Sequence, residues 1–147
     1  KEARLSDTLA KSISMMLAEA EKKHIQLLVD CDSTLTLKHD PKWTAEAIGN
    51  ILNNAVKYTP EGGSIHILVR PWQFYTRIDI SDTGIGIAEE HYHAIFQRFY
   101  RAKEVTTEEG VGLGLYLARG IIAQQNGYIT VTSKKGEGST FSVFLLS

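Results

Sequence analysis

Three polar residues of this sequence could bind a charged ligand together. Asn50, Asn54 and Lys57 recur at positions i, i+4 and i+7, so a helix would project them in one direction. An amide oxygen suits a hard cation, and an ammonium binds phosphate. Asparagine is unfavourable in the interior of a helix, so we expect these residues to offset that cost with a functional role. A solvated helix face is the alternative, and it applies best to Asn53, which lies to one side.

A second candidate is the segment Asp82-Thr83-Gly84-Ile85-Gly86-Ile87, which directly follows a predicted strand. Glycines let the backbone approach a flat or charged ligand closely, and a carboxylate at a strand end can accept a hydrogen bond from an amine. A tight turn with an exposed aspartate would explain the same pattern.

A third candidate is Gly110-Val111-Gly112-Leu113-Gly114-Leu115, which opens a predicted helix. Free amides at a helix N-terminus bind phosphate through their N–H groups and the helix dipole. A dinucleotide-binding turn would need a preceding strand and an acidic residue about 20 positions further on. A polar loop precedes these glycines and Thr130 to Thr132 follow at that distance, so the dinucleotide interpretation fails.

The elements that must position these residues alternate between helices and strands. The first predicted helix follows a cap at Ser6 or Asp7 and ends near Lys22. Further predicted helices cover residues 41–58 behind a cap at Asp40, 89–96 and 112–125. Predicted strands cover residues 25–29 and 34–37 as a hairpin, 64–69 and 75–81 with a break at Pro71-Trp72, 128–133 and 140–146. This order predicts one domain over residues 1–147, an α/β two-layer sandwich with a mixed, largely antiparallel sheet and helices on one face.

Composition narrows the function classes. The 147 residues are 43% hydrophobic and 22% charged with a net charge of −1, which is typical of a globular domain and gives no overall attraction to nucleic acid. Cys31 is the only cysteine, so a disulfide or a thiolate zinc cluster is excluded. No apolar run approaches the roughly 20 residues that cross a bilayer. We expect a soluble piece without direct membrane contact, and a sequence that belongs to a longer protein.

The candidate segments, taken in chain order, resemble the nucleotide-binding boxes of the catalytic domain of two-component sensor histidine kinases. This family shares a superfamily and the Bergerat ATP-binding fold with DNA gyrase, heat-shock chaperones and mismatch-repair ATPases. Residues 50–59 resemble the N box, 82–87 the G1 box, 95–99 the F box, 110–115 the G2 box and 136–141 the last glycine box.

The resemblance implies a site for ATP and Mg²⁺ between the N-box helix and the sheet. Asn54 would coordinate Mg²⁺, Asn50 would support the metal or the phosphates, Lys57 would reach phosphate and Tyr58 would pack near the adenosine. The remaining implied ligand-binding residues are Asp82 for the adenine amine, Gly84 and Gly86 around the base, Thr140 at the adenine edge, and Gly110, Gly112, Leu113 and Gly114 around the phosphates. Arg98 or Arg101 would steady the γ-phosphate, and the polar loop 97–109 would form a lid.

Two departures from related patterns refine this prediction. Gyrase-type ATPases place a water-activating Glu where this chain has Asn50, which cannot take a proton, and Glu46 lies a turn too far back to replace it. In addition, sensor kinases carry their phosphorylated histidine in a motif on a separate helical hairpin. That motif is missing around the five histidines, which are His24, His39, His66, His91 and His93.

We therefore expect a histidine kinase catalytic domain that donates the γ-phosphoryl group of Mg-ATP to its own histidine-containing dimerisation domain, with a response regulator downstream. The expected catalytic residues are Asn50, Lys57, Arg98 and Arg101. The resemblance also implies a cytoplasmic domain, and many relatives are membrane receptors. The alternatives are a hydrolytic ATPase and a nucleotide-responsive interaction module without catalysis.

Overall fold

The structure, a computed structural model, describes residues 2–92, 94–96 and 114–147. Within these residues the strands are β1 (Glu2–Arg4), β2 (Gln26–Asp30), β3 (Thr36–Lys38), β4 (Ser64–Trp72), β5 (Tyr75–Asp82), β6 (Tyr128–Lys134) and β7 (Gly138–Leu146). The helices are α1 (Leu5–Lys22), α2 (Pro41–Tyr58) and α3 (Gly114–Ala123), and two 3₁₀ turns cover Glu89–His91 and Ala94–Phe96.

Five of the strands form one mixed sheet in the order β2-β4-β5-β7-β6. β2 runs parallel to β4, and the other neighbouring pairs are antiparallel. Because side chains alternate between the two faces of a strand, apolar residues of neighbouring strands stand side by side on one face of the sheet. One such row is Ile67, Ile80, Phe141 and Val131. The helices pack on this face and complete the core, which confirms the predicted two-layer sandwich.

The predicted hairpin of residues 25–29 and 34–37 is wrong. β2 pairs with β4 instead, and β3 pairs with β1 in a separate two-stranded sheet. The register places Leu27 opposite Ile65, so β2 extends the large sheet and the partly buried Leu27 side chain packs against the core. A two-stranded hairpin alone would bury much less apolar surface and would therefore be only marginally stable in water.

The predicted break at Pro71 and Trp72 is also wrong, because β4 continues through both residues to a turn at Gln73 and Phe74. β2 pairs with β4 only as far as Leu68. Beyond that point β4 has an open edge, where the missing N–H of a proline is tolerated.

Two helix ends differ from the prediction as well. α1 begins at Leu5 without a side-chain cap from Ser6 or Asp7, and the Leu5 N–H donates to the Leu35 carbonyl at 3.1 Å. The predicted helix 89–96 is wrong as well, because the described residues form 3₁₀ turns at Glu89–His91 and Ala94–Phe96, and Tyr92 between them bonds to β6. The start predicted for the helix 112–125 lies partly outside the described residues.

Candidate functional site

Helix α2 supplies the polar stripe predicted at residues 50–57. The Asp40 carboxylate caps the helix by accepting from the Trp43 N–H at 3.1 Å, and Pro41 occupies the first turn. One side of the helix is buried in the core. Asn50, Asn54 and Lys57 are partly exposed on the other side, so the structure presents them as a stripe at the surface.

Helix α3 runs antiparallel beside α2 and begins halfway along it. A Cβ added to Gly114 would lie 3.8 Å from the Asn50 Cβ. At the other end of α3, the Gln125 side chain donates to Thr44 Oγ1 and accepts from the Asp40 N–H, both at 2.9 Å. The N-terminus of α3, which is the positive end of the helix dipole, therefore lies beside Asn50 and is directed toward the end of α2 that carries Lys57.

The C-terminal end of α2 is fixed by contacts from two other segments. Lys23 Nζ, which follows α1, donates to the carbonyls of Val56 at 2.6 Å and Lys57 at 3.2 Å. The Tyr58 carbonyl accepts from the Ile85 N–H at 3.3 Å. These bonds satisfy carbonyls that a helix end leaves without partners, and they join α2 to the turn that follows β5.

Asp82 ends β5 on the face of the sheet that the helices cover. In the register it stands between Ile65 on β4 and Ser139 on β7. Its Oδ1 accepts from the Gly84 N–H at 2.8 Å and from the Ser139 N–H at 3.3 Å. Burial raises the pKa of the Asp82 carboxyl, and these two N–H groups offset the shift only in part. A further hydrogen-bond donor would therefore stabilise the ionised carboxylate.

Close packing explains the glycines around Asp82. A Cβ on Gly84 would lie 2.6 Å from the Tyr58 carbonyl oxygen and 2.9 Å from Asp82 Oδ1. Gly86 has a φ of +75° and would meet the Lys134 carbonyl at 2.0 Å. Only glycine fits at either position, so the turn can lie against both α2 and the β6–β7 hairpin.

The structure separates Thr140 from the other predicted base-contacting residues. Thr140 pairs with Ser81, and their hydroxyl oxygens are 2.9 Å apart on the opposite face of the sheet from Asp82. Ser139 lies on the Asp82 face and is buried. Ser139 was not among the residues predicted from the sequence. The alternation of Ser139, Phe141 and Val143 with Thr140 and Ser142 would have indicated that it shares a face with core residues.

Several predicted site residues fall outside the part of the chain that the structure describes. They are Arg98, Arg101, Gly110, Gly112 and Leu113, together with the predicted lid 97–109. Of the F box, Ile95 and Phe96 are described, and both are buried.

One of the described histidines is buried in a structural contact and the other three are exposed. His39 is buried, with Nε2 2.8 Å from Thr8 Oγ1 and Nδ1 2.8 Å from the Leu37 carbonyl, and it leads into the cap of α2. His24, His66 and His91 are exposed, and His93 lies outside the described residues.

The donor set on α2 fits a divalent cation that takes most of its ligands from phosphate and water. Across the described residues, His, Cys, Asp and Glu side chains form no cluster of three that could hold a metal by themselves. Amide oxygens on a partly exposed helix face, beside a helix N-terminus that attracts phosphate, suit Mg²⁺, which keeps several waters and binds together with substrate phosphates.

A search of the described part of the chain for a helix long and apolar enough to cross a membrane found none.

Comparisons with known proteins agree with this geometry. Sensor-like histidine kinase SenX3 of Mycobacterium tuberculosis is 34% identical over 142 residues, which cover 95% of this chain and 35% of that protein. Adaptive-response sensory kinase SasA of Synechococcus elongatus is 41% identical over 122 residues, which cover 81% of this chain and 31% of that protein. The chain thus spans about a third of the length of these relatives.

The fold is that of a histidine kinase catalytic domain. The mycobacterial sensor histidine kinase MprB superposes with a TM-score of 0.87 at 21% identity, covering 99% of this chain and 97% of the solved one. Residues 39–147 match the family model described as histidine kinase-, DNA gyrase B- and HSP90-like ATPase. That match includes α2, the turn after β5, α3 and the β6–β7 hairpin, and on this basis the chain belongs to the histidine kinase-, DNA gyrase B- and HSP90-like ATPase family.

Proposed function

We propose that this domain binds Mg-ATP and donates the γ-phosphoryl group to a histidine on a separate dimerisation domain. The observation that carries the proposal is the arrangement of α3 beside α2, in which the α3 N-terminus is directed along the stripe of Asn50, Asn54 and Lys57. Asp82 supplies a partly buried acceptor at the end of β5. One end of the site thus suits phosphates and the other suits a base.

At the base end, Asp82 accepts a hydrogen bond from the adenine 6-amino group. Ser139 is the neighbouring polar residue on the same face, and we assign it the base-edge role first expected for Thr140. Because Gly84 and Gly86 lack a Cβ, the turn packs closely against its neighbours and leaves room for a flat ring. Tyr58 contributes to the adenosine pocket.

At the phosphate end, Lys57 binds phosphate oxygens, Asn50 supports them, and Asn54 is the main protein ligand for Mg²⁺. Bound Mg²⁺ neutralises phosphate charge. The glycine-rich segment of Gly110, Gly112, Leu113 and Gly114 contributes backbone N–H groups at the start of α3.

In the transfer, the bond between the γ-phosphorus and the bridging oxygen of ADP breaks. A bond from phosphorus to an imidazole nitrogen of the acceptor forms, and the imidazole releases a proton. The protein's contribution is positioning and charge neutralisation, with Arg98 or Arg101 at the γ-phosphate. Asn50 cannot deprotonate a water, which favours transfer over hydrolysis.

The partners of this domain follow from the same proposal. The named relatives are sensor kinases, so the acceptor histidine belongs to the dimerisation domain of the same parent protein, and a response regulator takes the phosphoryl group next. We place the domain on the cytoplasmic side of such a sensor.

The test is a radiolabelled ATP assay on this chain with and without the hairpin domain of its parent. We expect ATP binding, little hydrolysis and no label on the chain alone, and transfer once the hairpin is added. The Asn50→Ala variant serves as the comparison for hydrolysis. Robust hydrolysis that survives Asn50→Ala would support the ATPase alternative. Binding without transfer to the supplied hairpin would support an interaction module, and stable label on the chain's own histidines would show that the acceptor is misassigned.

A further inference from the structure

Ser133, near the end of β6, joins three segments around the proposed base site. Its Oγ accepts from the Ile87 N–H at 2.7 Å and donates to the Gly138 carbonyl at 2.8 Å. The same oxygen lies 2.7 Å from Ser139 Oγ. Asp82, Ser139 and Ser133 stand in one cross-strand row, so this hydroxyl ends the row that begins with the base-binding carboxylate.

The number of protons in this network fixes the direction of the Ser139 hydroxyl. A serine hydroxyl has one proton to donate and can accept two. Because the Ser133 proton is directed to Gly138, all three contacts are satisfied only when Ser139 donates to Ser133. Ser139 then offers only lone pairs to a ligand, as does the ionised Asp82 beside it.

Tyr92 holds the backbone from which the Ser133 side chain projects. Its phenolic oxygen accepts from the Ser133 N–H at 2.6 Å, and its proton is donated to the Ser133 carbonyl. β6 is the edge strand of the sheet, so these two backbone groups face away from β7 and are available to the phenol. Tyr92 and Ile87 therefore attach one segment to the same serine at two points.

We propose that Ser133 and Tyr92 are positioning residues that make the base site select a 6-amino purine over a 6-oxo purine. The inference rests on the proposed function, because it concerns the base end of the ATP site. A 6-amino group donates to the lone pairs of Ser139 and Asp82. A 6-oxo group brings lone pairs of its own and finds no donor, unless the Ser139 hydroxyl is released to turn toward it.

The experiment measures, by calorimetry on this chain, the dissociation constants of ATP and of inosine triphosphate, which carries the 6-oxo group. Ser133→Ala should reduce the preference for ATP about three- to tenfold, the range expected for one neutral hydrogen bond. Tyr92→Phe should shift the preference in the same direction, and Ser133→Thr should retain it because the hydroxyl remains.

Two matched controls share β6 with Ser133 but lie on the opposite face. Thr132→Ala removes an exposed hydroxyl from the adjacent position, and Tyr128→Phe removes a phenolic hydroxyl from a ring that stacks on Phe144. Both should keep the wild-type preference. A general structural role for Ser133 would weaken both nucleotides equally and leave the ratio of the two constants unchanged.

An unchanged ratio in folded Ser133→Ala would overturn the inference. If that variant fails to fold, Tyr92→Phe decides, because it keeps the ring and removes only the hydroxyl. A wild-type chain that binds neither nucleotide refutes the proposed function, and the inference with it. If the wild-type chain prefers ATP and the Ser133 and Tyr92 variants prefer it to the same extent, the inference is refuted and the proposed function is not.

Discussion

Asp79 and Asp82 lie three residues apart on β5, face opposite sides of the sheet, and have pKa values shifted in opposite directions. Burial alone would raise the pKa of Asp79, but hydrogen bonds from Ser142 and Arg77 and the charges of Arg77 and Arg70 outweigh it and lower that pKa. Burial raises the pKa of Asp82, and within the described part of the chain the backbone N–H groups of Gly84 and Ser139 offset this shift only in part. Asp79 thus stabilises the fold as an anion, whereas burial makes ionisation of Asp82 less favourable than that of a solvent-exposed aspartate.

Neutralising these two carboxylates should have opposite consequences. Asp82→Asn should weaken ATP binding by about 1–3 kcal/mol, the penalty for an unpaired group in a partly desolvated site, without loss of stability at neutral pH. Asp79→Asn should leave ATP binding intact but lower the free energy of unfolding by roughly 1.5–3 kcal/mol, because it weakens charge-assisted hydrogen bonds. Calorimetric titration and urea unfolding of both variants measure the two effects. Equal ATP affinities would contradict the role given to Asp82.

The raised pKa of Asp82 predicts a pH dependence of nucleotide binding. The ionised carboxylate is the stronger acceptor for the adenine amine, because protonation removes its negative charge. ATP affinity should therefore fall as the pH is lowered through the raised pKa, at a higher pH than an ordinary aspartate would give. Titrations of wild type and Asp82→Asn in parallel separate this effect from protonation of the ATP phosphates. If both proteins show the same pH profile, another group is responsible.

Metal dependence should distinguish two residues of the α2 stripe, Asn54 and Lys57. Asn54→Ala should weaken ATP binding mainly when Mg²⁺ is present, whereas Lys57→Ala should weaken it with or without the metal, because an ammonium contacts phosphate directly. Asn53→Ala is the matched control, since Asn53 is exposed at the neighbouring position. Titration of a fluorescent ATP analogue with and without Mg²⁺ measures all three. An equal loss in both conditions for Asn54→Ala would contradict its assignment as a metal ligand.

Two glycines should respond in opposite ways to the same substitution. Gly84→Ala would place a methyl group 2.6 Å from the Tyr58 carbonyl, so the turn must shift, and both stability and ATP affinity should fall. Gly120→Ala adds a methyl group in open space on α3 and should raise the free energy of unfolding by about 0.5–1 kcal/mol. Denaturant unfolding of both variants tests the pair. A destabilised Gly120→Ala would mean that α3 has constraints beyond those described.

Local patterns predicted the elements that carry the site. The cap at Asp40, the proline after it and the apolar periodicity of residues 48–56 defined α2 with the correct ends. The stop of α3 before Asn126 and Gly127 was correct for the same reason, because Asn126 adopts a φ of 65° that ends a helix. Such signals lie within one segment and need no knowledge of distant neighbours.

Pairing between distant strands was the part that the sequence could not provide. The proximity of β2 and β3 favoured a hairpin, but β2 pairs with β4 across the large sheet, where the partly buried Leu27 packs against the core. The same limit applied to the site, because the role of Ser139 depends on its register with Asp82. The hydrogen bonds of Tyr92 depend on β6 being the edge strand of the sheet. The residues around Tyr92 do not indicate that position.

The phenol of Tyr92 also has a consequence for assembly. An edge strand exposes unpaired N–H and C=O groups, on which a strand from another molecule can add and begin an aggregate. At Ser133 both of these groups are already bonded to one tyrosine hydroxyl, so a foreign strand cannot extend the sheet there without displacing it. The contact that holds the nucleotide-site segment thereby protects this edge of the domain from intermolecular β-pairing.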